Sequence, residues 1–181
     1  MRVIAGTARG VRLETPKGNA VRPTLDRVRE ALFSILGERV AGARFIDLYA
    51  GTGANGIEAL SRGATGAAFV DSDPRCVALI RRNLGRAGLT SQAQCLQGFL
   101  PGCLRRLALG TTPYDIAFAD PPFGRTDLAE LLSELRDHAI VVPDGTIVYE
   151  HPSRDDLPPE VAGYRLVRSA SYGDVGLSFF S

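Results

Sequence analysis

The sequence of 181 residues has few of the side chains that bind metals or form disulfides. It contains three cysteines, which are Cys76, Cys95 and Cys103, and two histidines, His138 and His151. The cysteine number is odd and no C-x-x-C pair occurs, so we expect reduced cysteines and no zinc site of the usual Cys/His type. The sequence therefore predicts a protein that holds no metal.

Long apolar runs are missing as well. No run approaches the roughly 18 to 20 residues that a membrane span needs, and the stretch MRVIAGTARG lacks the apolar core of a signal peptide. Apolar residues make up 45% of the chain and charged residues 23%, which is typical of soluble globular proteins. We expect a cytoplasmic protein without membrane contact and with one main domain.

Excess charge is absent from the chain as a whole but not from its first part. The formal net charge is +1, yet residues 1–30 hold seven basic side chains against three acidic ones. A basic end on a near-neutral body predicts that a polyanion such as RNA is contacted there. A solvated charged face would have the same composition, so charge alone leaves both interpretations open. The candidate RNA contacts are Arg2, Arg9, Arg12 and Arg22.

The apolar periodicity alternates between strand and helix along most of the chain. We predict strands at 44–48, 67–70, 93–96, 115–119 and 146–150, with helices at 55–62, 74–87, 100–109 and 127–139 between them. This alternation predicts an α/β fold with a mostly parallel sheet and helices on both faces. Two runs near the end, 164–171 and 176–180, predict an antiparallel hairpin at one edge of the sheet.

The first residues are organised differently. Two short strand-like runs at 2–5 and 11–14 are joined by GTARG, a pattern that predicts a small β-hairpin. A loop follows, and then a helix with one apolar stripe at 24–37. We therefore expect residues 1–23 to form a hairpin and loop that contact RNA, and residues 24–181 to form the main domain.

A glycine-rich turn follows the first strand of the main domain. Gly51, Gly53 and Gly56 form a G-x-G-x-x-G pattern, and Asp71 follows Gly51 by twenty positions at the end of the next strand. This pattern is typical of a nucleotide site in which the acid binds ribose hydroxyls, although a turn that only packs a helix on a strand would also contain it. Asp47 precedes the turn, where its carboxylate would repel a pyrophosphate and attract an ammonium group. Unless Asp47 only forms the turn, the pattern therefore favours S-adenosylmethionine, which has an amino-acid part and no phosphate, over NAD.

The fourth strand of the main domain ends in the tetrapeptide D-P-P-F, Asp120 to Phe123. Pro121 and Pro122 cannot continue a sheet ladder, and they fix the backbone that carries the acid and the ring. At the carboxyl edge of a parallel sheet, Asp120 would lie beside the glycine turn. Its carboxylate can accept hydrogen bonds from an exocyclic amine that attacks a methyl group, and Phe123 offers a face on which a base can stack. Whether Asp120 also takes a proton is not decided by the sequence.

Four stretches in order, RPTLDRVREALFSIL, DLYAGTGANGIEALSRGA, FVDSD and ADPPF, resemble a bacterial family that methylates guanine N2 in 16S ribosomal RNA. The opening RVIAGTARGVRL is similar to the N-terminal hairpin of that family. D-P-P-F is similar to the D/N-P-P-Y/F signature of amino-methyltransferases. The resemblance implies a seven-stranded, mostly parallel Rossmann-like sheet that binds S-adenosylmethionine. It also implies that the substrate is 16S rRNA in a small ribosomal subunit or its assembly intermediate.

The resemblance implies roles for individual residues as well. Asp120 and Pro121 would hold the target amine, Pro122 would fix the turn and Phe123 would stack on the base. The segment with Arg22, Thr24 and Arg27 would close over the cofactor and face the RNA. The cofactor contacts that it implies are Asp47, Ala50, Gly51, Gly53 and Gly56 around the methionine part, and Asp71 on the ribose.

Three other functions share some of these features. An amino-methyltransferase that acts on DNA or protein would use the same chemistry, but N-P-P-Y is more usual there. An NAD-dependent oxidoreductase would account for the glycine pattern and Asp71, but not for Asp47 or D-P-P-F. A noncatalytic RNA-binding module would account for the charge and leave the cofactor residues without a use.

Overall fold

The computed structural model describes residues 1–16, 23–108, 112–122 and 128–181, with the backbone alone at 23–25. Its helices are α1 (Pro23–Leu36), α2 (Ala54–Ser61), α3 (Pro74–Ala87), α4 (Leu104–Ala108) and α5 (Leu128–Asp137). Its strands are β1 (Arg44–Leu48), β2 (Gly66–Asp71), β3 (Ala93–Gln97), β4 (Tyr114–Ala119), β5 (Val141–Pro152), β6 (Glu160–Val161), β7 (Tyr164–Tyr172) and β8 (Val175–Phe180). Across the described ranges, none of the helices is both long and apolar enough to cross a membrane.

The strands form one sheet in the order β3-β2-β1-β4-β5-β8-β7-β6. The first five strands in this order pair in parallel, and β8 and β7 join them as antiparallel strands. This confirms the predicted fold class. The strand number differs from the expected seven, because β6 pairs with β7 as an eighth strand. With two residues, β6 is too short to show the alternation by which a strand is recognised in a sequence.

Helices pack on both faces of the sheet, so the side chains of its central strands are apolar on both faces. Phe45 and Ile46 are neighbours on β1, yet they belong to two separate clusters of buried side chains. The Phe45 cluster contains residues of α1, α2 and α3, and the Ile46 cluster contains residues of α4 and α5. Successive side chains of a strand point to opposite faces, so near-continuous apolar runs are what a sheet between two helical layers requires.

The N-terminal segment, which we define as residues 1–14, lies against the first of these layers. It forms the predicted hairpin with short strands: Arg2 and Arg12 make an antiparallel bridge, and the N–H groups of Val3 and Leu13 donate to the carbonyl oxygens of Val11 and Met1. Val3, Ala8 and Leu13 are buried in the same cluster as Phe45. The segment is therefore part of the core, and its pairing as strands is minimal.

Buried polar groups of α2 fasten this segment. The Glu58 carboxylate, which is 1% exposed, accepts the backbone N–H of Ile4 at 2.7 Å and that of Ala5 at 3.0 Å. The chain passes so close to α2 that a Cβ on Gly6 would lie 1.7 Å from the carbonyl oxygen of Ser61. Only glycine allows this approach, and its φ of +83° also favours glycine.

Two further helices hold the segment at its ends. On α1, the Arg29 guanidinium donates to the carbonyl oxygen of Arg2 at 2.7 Å and to Asp26 at 3.0 Å. On α3, the Asn83 side chain accepts the N–H of Glu14 at 2.7 Å and donates to its carbonyl oxygen at 3.1 Å. The segment is thus fixed by side chains from three helices.

Candidate active site

A cavity of about 200 Å³ opens at the carboxyl ends of β1, β4 and β5. Helix α1 covers it with Val28, Arg29 and Leu32, and the loop after β1 contributes Ala50 and Gly51. We call it the edge cavity. Ligands of open α/β sheets bind at this edge, so the position of the cavity is that of a ligand site. The sheet contributes four lining side chains, which are Asp47, Phe118, Asp120 and Glu150.

The three glycines of the turn serve different purposes. Gly51 has a φ of +53°, and a Cβ placed on it would meet only the carbonyl oxygen of Tyr49, at 4.0 Å, so a ligand can approach its backbone closely. Gly53 begins α2 with a φ of +75°. A Cβ on Gly56 would lie 2.3 Å from the ring of Phe69, so this glycine permits close packing of α2 on β2.

Asp47 is the most deeply buried acid of the edge cavity. It is 1% exposed, and its carboxylate accepts the Gly56 N–H at 2.9 Å. Burial, with smaller contributions from the carboxylates of Asp120 and Asp71, raises the pKa of Asp47 to about 8 despite this bond. A cationic ligand group beside Asp47 would restore its charge.

Asp71 ends β2 on the other side of the glycine turn. One of its carboxylate oxygens accepts the Gly51 N–H at 2.8 Å and the other accepts the Asp73 N–H at 2.9 Å. These bonds fix the turn against β2. Each oxygen keeps a free lone pair, so a ligand hydroxyl can still bind.

Asp120 and Glu150 are side by side near the ends of the neighbouring strands β4 and β5. Ala119 of β4 pairs with Tyr149 of β5, so the two acids are the next residues in register and lie on one face of the sheet. Asp120 keeps contact with solvent, but the surrounding protein removes enough water to raise its pKa to about 6. Burial raises the pKa of Glu150 to about 8, with smaller contributions from Asp120 and Asp47.

Arg29 is the basic side chain of this acidic cavity. It is 4% exposed and makes the bonds to Arg2 and Asp26 described above. Its Nε lies 3.8 Å from the Glu58 carboxylate and has no hydrogen-bond partner in the part of the chain that the structure describes. The cavity therefore holds three acids against one base, a balance that suits a cationic ligand and disfavours a pyrophosphate.

The structure brings together four of the residues that the sequence predicted for the cofactor and the amine, namely Asp47, Ala50, Gly51 and Asp120. After Asp120, Pro121 is buried and Pro122 is exposed. Phe123 and Arg22 lie outside the described residues, and so does the side chain of Thr24.

The basic residues line a different cavity, of about 320 Å³, between the N-terminal segment and α1. Arg2, Arg9 and Arg27 line this basic groove, together with Asp26 and Glu30. Arg27, which the sequence predicted as a cofactor contact, therefore lines the groove with two of the predicted RNA contacts and is not among the residues that line the edge cavity. Arg12, opposite Arg2 in the bridge, is exposed.

Sequence reasoning missed Glu150 and Arg29. The signal for Glu150 was present, because T-I-V-Y-E is an apolar strand that ends in an acid, as I-A-F-A-D does at Asp120. The signal for Arg29 was its spacing, because Leu32, Phe33 and Leu36 follow it by three, four and seven positions and lie on the buried face of α1, whereas Arg27 is exposed. Within the described ranges, no three histidine, cysteine or acidic side chains form a group that could hold a metal ion.

Several known proteins that are similar to this chain carry the name of a methyltransferase. The family "Conserved hypothetical protein 95" matches residues 1–181. The chain is 36% identical to "Putative rRNA methyltransferase YlbH" of Bacillus subtilis, over 99% of this chain and 98% of that protein. It is 34% identical to "Ribosomal RNA small subunit methyltransferase D" of Escherichia coli, over 99% and 89%. The solved structure "Putative methyltransferase yhhF from Escherichia coli" superimposes with a TM-score of 0.82 at 33% identity, over 99% of this chain and 96% of that one.

Proposed function

The chain belongs to the family of conserved hypothetical protein 95, and from this membership we propose that it is an S-adenosylmethionine-dependent methyltransferase that acts on ribosomal RNA. The finer part of the proposal is that it methylates the exocyclic N2 amine of a guanine in 16S rRNA, within a small ribosomal subunit or its assembly intermediate. The resemblance of the motifs and the names of the relatives support an rRNA substrate.

The single observation that carries the cofactor assignment is the cluster of Asp47, Asp120 and Glu150 around the open backbone of Gly51. NAD would bring a pyrophosphate into this acidic space, with Arg29 as its one compensating cation among the lining residues. S-adenosylmethionine brings an ammonium and a sulfonium instead. The residues therefore fit the methyl donor better than a dinucleotide.

We assign the donor's contacts as follows. Asp47 would accept its ammonium group, and the backbone of Ala50 and Gly51 would contact its amino-acid part. Asp71, whose oxygens keep free lone pairs, would accept a ribose hydroxyl. Gly53 and Gly56 would act indirectly, through the turn and the packing of α2. When bound, S-adenosylmethionine supplies an electrophilic methyl group.

Asp120 is assigned to the target amine. An exocyclic amine is a weak nucleophile, because its lone pair is delocalised into the ring, and it becomes positive as it forms a bond to carbon. The Asp120 carboxylate would orient its hydrogens and stabilise this charge. With a pKa near 6, Asp120 is mostly ionised at neutral pH and is able to accept the proton that the nitrogen loses. Pro121 and Pro122 would fix the acid, and Phe123 would stack on the base.

The basic groove is assigned to the RNA backbone. Arg2, Arg9 and Arg27 line it, and the exposed Arg12 extends the positive surface. Because the N-terminal segment is fastened to three helices, it would present Arg2, Arg9 and Arg12 from a fixed base. Arg22 is assigned to the RNA and Thr24 to the cofactor, as the resemblance implies.

The salt dependence of RNA binding tests this assignment. We expect the double variant Arg9→Gln, Arg12→Gln to bind a 16S rRNA fragment more weakly, and the slope of log affinity against log salt to become shallower by about 1 to 2. Its affinity for S-adenosylmethionine should stay unchanged, and Arg154→Gln, an exposed arginine after β5, is the matched control. An unchanged slope would move the RNA contact elsewhere on the protein.

The proposed function is tested by transfer of labelled methyl groups to small ribosomal subunits and to naked 16S rRNA from cells that lack the enzyme. The expected product is one N2-methylguanine, identified after digestion and mapped to its nucleotide. Methylated adenine or cytosine, or label in DNA or protein, would overturn the guanine assignment. Thermal shifts test the cofactor separately, since stabilisation by NAD and not by S-adenosylmethionine would contradict the methyl donor.

A further inference from the structure

Glu150 is the acid of the edge cavity to which no role has been assigned. It lies near the end of β5, is 9% exposed and lines the cavity beside Asp120. Within the described residues, its carboxyl group makes no hydrogen bond. The group is not fully enclosed, so water has to serve as its partner when no ligand is bound, and a ligand that supplies a donor would replace that water.

The position of Glu150 relative to Asp120 limits what that donor is. The two residues follow the pair Ala119–Tyr149 on parallel strands, which lie about 4.8 Å apart. Two acceptor groups so close on one face match two neighbouring donors on one edge of a planar ligand. Asp47 of β1 pairs with Phe118, two residues before Asp120, and its carboxylate is already assigned to the ammonium group of the methyl donor.

Among the RNA bases, guanine is the one that has an amine next to a ring N–H. Its N1 carries a hydrogen and its N2 carries two, so this edge offers adjacent donors and no acceptor between them. Adenine and cytosine each have an exocyclic amine beside a ring nitrogen that carries a lone pair. A carboxylate facing that lone pair would be repelled.

We propose that Glu150 accepts the N1–H of the target guanine while Asp120 holds its N2 amine, so that Glu150 determines which base is methylated. This inference rests on the proposed function. Glu150 is then a specificity residue that touches the base, and Asp120 remains the residue at the reacting nitrogen. The raised pKa of Glu150 agrees with this, because its charge lacks a stabilising partner until a donor binds.

A structural role for Glu150 is less consistent with its surroundings. Glu58 is buried to a similar degree, and its carboxylate accepts two backbone N–H groups and the Arg62 guanidinium. Glu150 has none of these contacts. An acid that only fastened β5 would have partners on β4, β8 or α1.

The test uses 2-aminopurine, a base that has the N2 amine of guanine but a lone pair at N1. RNA fragments carry guanine or 2-aminopurine at the nucleotide that the mapping experiment identifies. We expect the wild type to prefer guanine in kcat/KM by about 10²-fold or more. Glu150→Gln offers either an acceptor or a donor to N1, so its preference should fall to about tenfold or less.

The variant comparison isolates the contact to N1. 2-Aminopurine also lacks O6, but this difference is the same for both enzymes and cancels when their ratios are compared. Glu160→Gln, an exposed glutamate of β6, is the matched control and should keep the wild-type preference. Affinity for S-adenosylmethionine and the unfolding midpoint establish that Glu150→Gln is folded, and Glu150→Ser, whose hydroxyl both donates and accepts, is the second variant.

The outcomes separate this inference from the function on which it rests. A wild type that transfers no methyl group to guanine overturns the proposed function. A wild type that methylates guanine, with Glu150 variants that keep its preference over 2-aminopurine, overturns the role of Glu150 alone. A preference that falls in both Glu150 variants and persists in Glu160→Gln supports it.

Discussion

Two buried glutamates show how differently two regions of this molecule use the same side chain. Glu58, on α2 beneath the N-terminal segment, accepts two backbone N–H groups and pairs with Arg62. Glu150, at the carboxyl edge of the sheet, makes no hydrogen bond within the described residues although it is 9% exposed. The Glu58 carboxylate has its partners within the chain, whereas the Glu150 carboxylate has none among the described residues.

The difference between the two glutamates indicates where a ligand binds. Buried polar groups are nearly always paired in proteins, so unmatched acids in a cavity indicate that the pairing partner comes from outside. Matched acids instead contribute to the fold. The comparison therefore predicts opposite consequences for substitutions in the two regions, in stability for one and in activity or binding for the other.

The largest effect is expected when Glu58 is removed. Glu58→Ala would leave two N–H groups of the N-terminal segment without their acceptor and would remove the acid that pairs with the Arg62 and Arg29 guanidinium groups, and it should destabilise the protein by about 3–5 kcal/mol. Urea unfolding measures this, with the exposed Glu38→Ala as the control. A loss below about 1 kcal/mol would mean that the contacts of Glu58 do not fasten the segment.

Asp120 should show the opposite behaviour. Asp120→Ala is expected to lower turnover by about 10²–10³, because the amine loses the group that aligns it and stabilises its developing charge. Folding and affinity for S-adenosylmethionine should remain close to those of the wild type. Single-turnover methyl transfer and a binding titration measure both properties. Near-normal turnover would reject the role of Asp120, and the acids of the edge cavity would then not differ from Glu58 in the way that is proposed.

A smaller effect, in stability, is expected at Asp47. Its pKa of about 8 means that the folded protein keeps a proton that the unfolded chain releases near pH 4, so wild-type stability falls as pH rises from about 4 to about 8. Asp47→Asn removes this loss and can still accept the Gly56 N–H. We expect it to be more stable by about 2 kcal/mol at pH 8, and by much less at pH 5.

The same variant should bind S-adenosylmethionine more weakly, because its ammonium loses a charged partner. Thermal unfolding at the two pH values, with and without the donor, measures both changes. If Asp47→Asn is no more stable than the wild type at pH 8, the Asp47 carboxylate has sufficient partners within the chain. Asp47 would then resemble Glu58 and not Glu150.

Much of the fold was predictable because it depends on local pattern. The predicted bounds of β1 (Arg44–Leu48) and α3 (Pro74–Ala87) agree with the structure, since each has a clear period and α3 has Pro74 at its first turn. The start of α4 was wrong, because the apolar pattern begins at residue 100 and the helix begins at Leu104, while the predicted end at 109 lies outside the described residues. The N-terminal hairpin was predicted correctly as an antiparallel pairing, but its strands are shorter than the predicted 2–5 and 11–14, and Val3 and Leu13 pack into the core.

The candidate site was predictable where a motif carries it. Asp47, Gly51 and Asp120 stand at recognisable positions in D-x-x-x-G-x-G and D-P-P-F, and the structure places all three at one cavity. Glu150 lies beside these residues because β5 pairs with β4, and no local sequence pattern predicts the order of strands in a sheet. The contact of Arg29 with the carbonyl oxygen of Arg2 depends on the path of the N-terminal segment across α1, which no local pattern predicts either.

The fastening of the N-terminal segment also bears on the order in which the protein is made and assembled. Ile4 and Glu58 are 54 positions apart and Glu14 and Asn83 are 69 apart, so a growing chain must wait several seconds for these partners at about 5–20 residues per second. Met1, which lines the edge cavity, arrives with that segment. Asn83 is made before Asp120 and Glu150, so the segment can be fastened first, and a newly made molecule should complete its binding site only once β5 has been made.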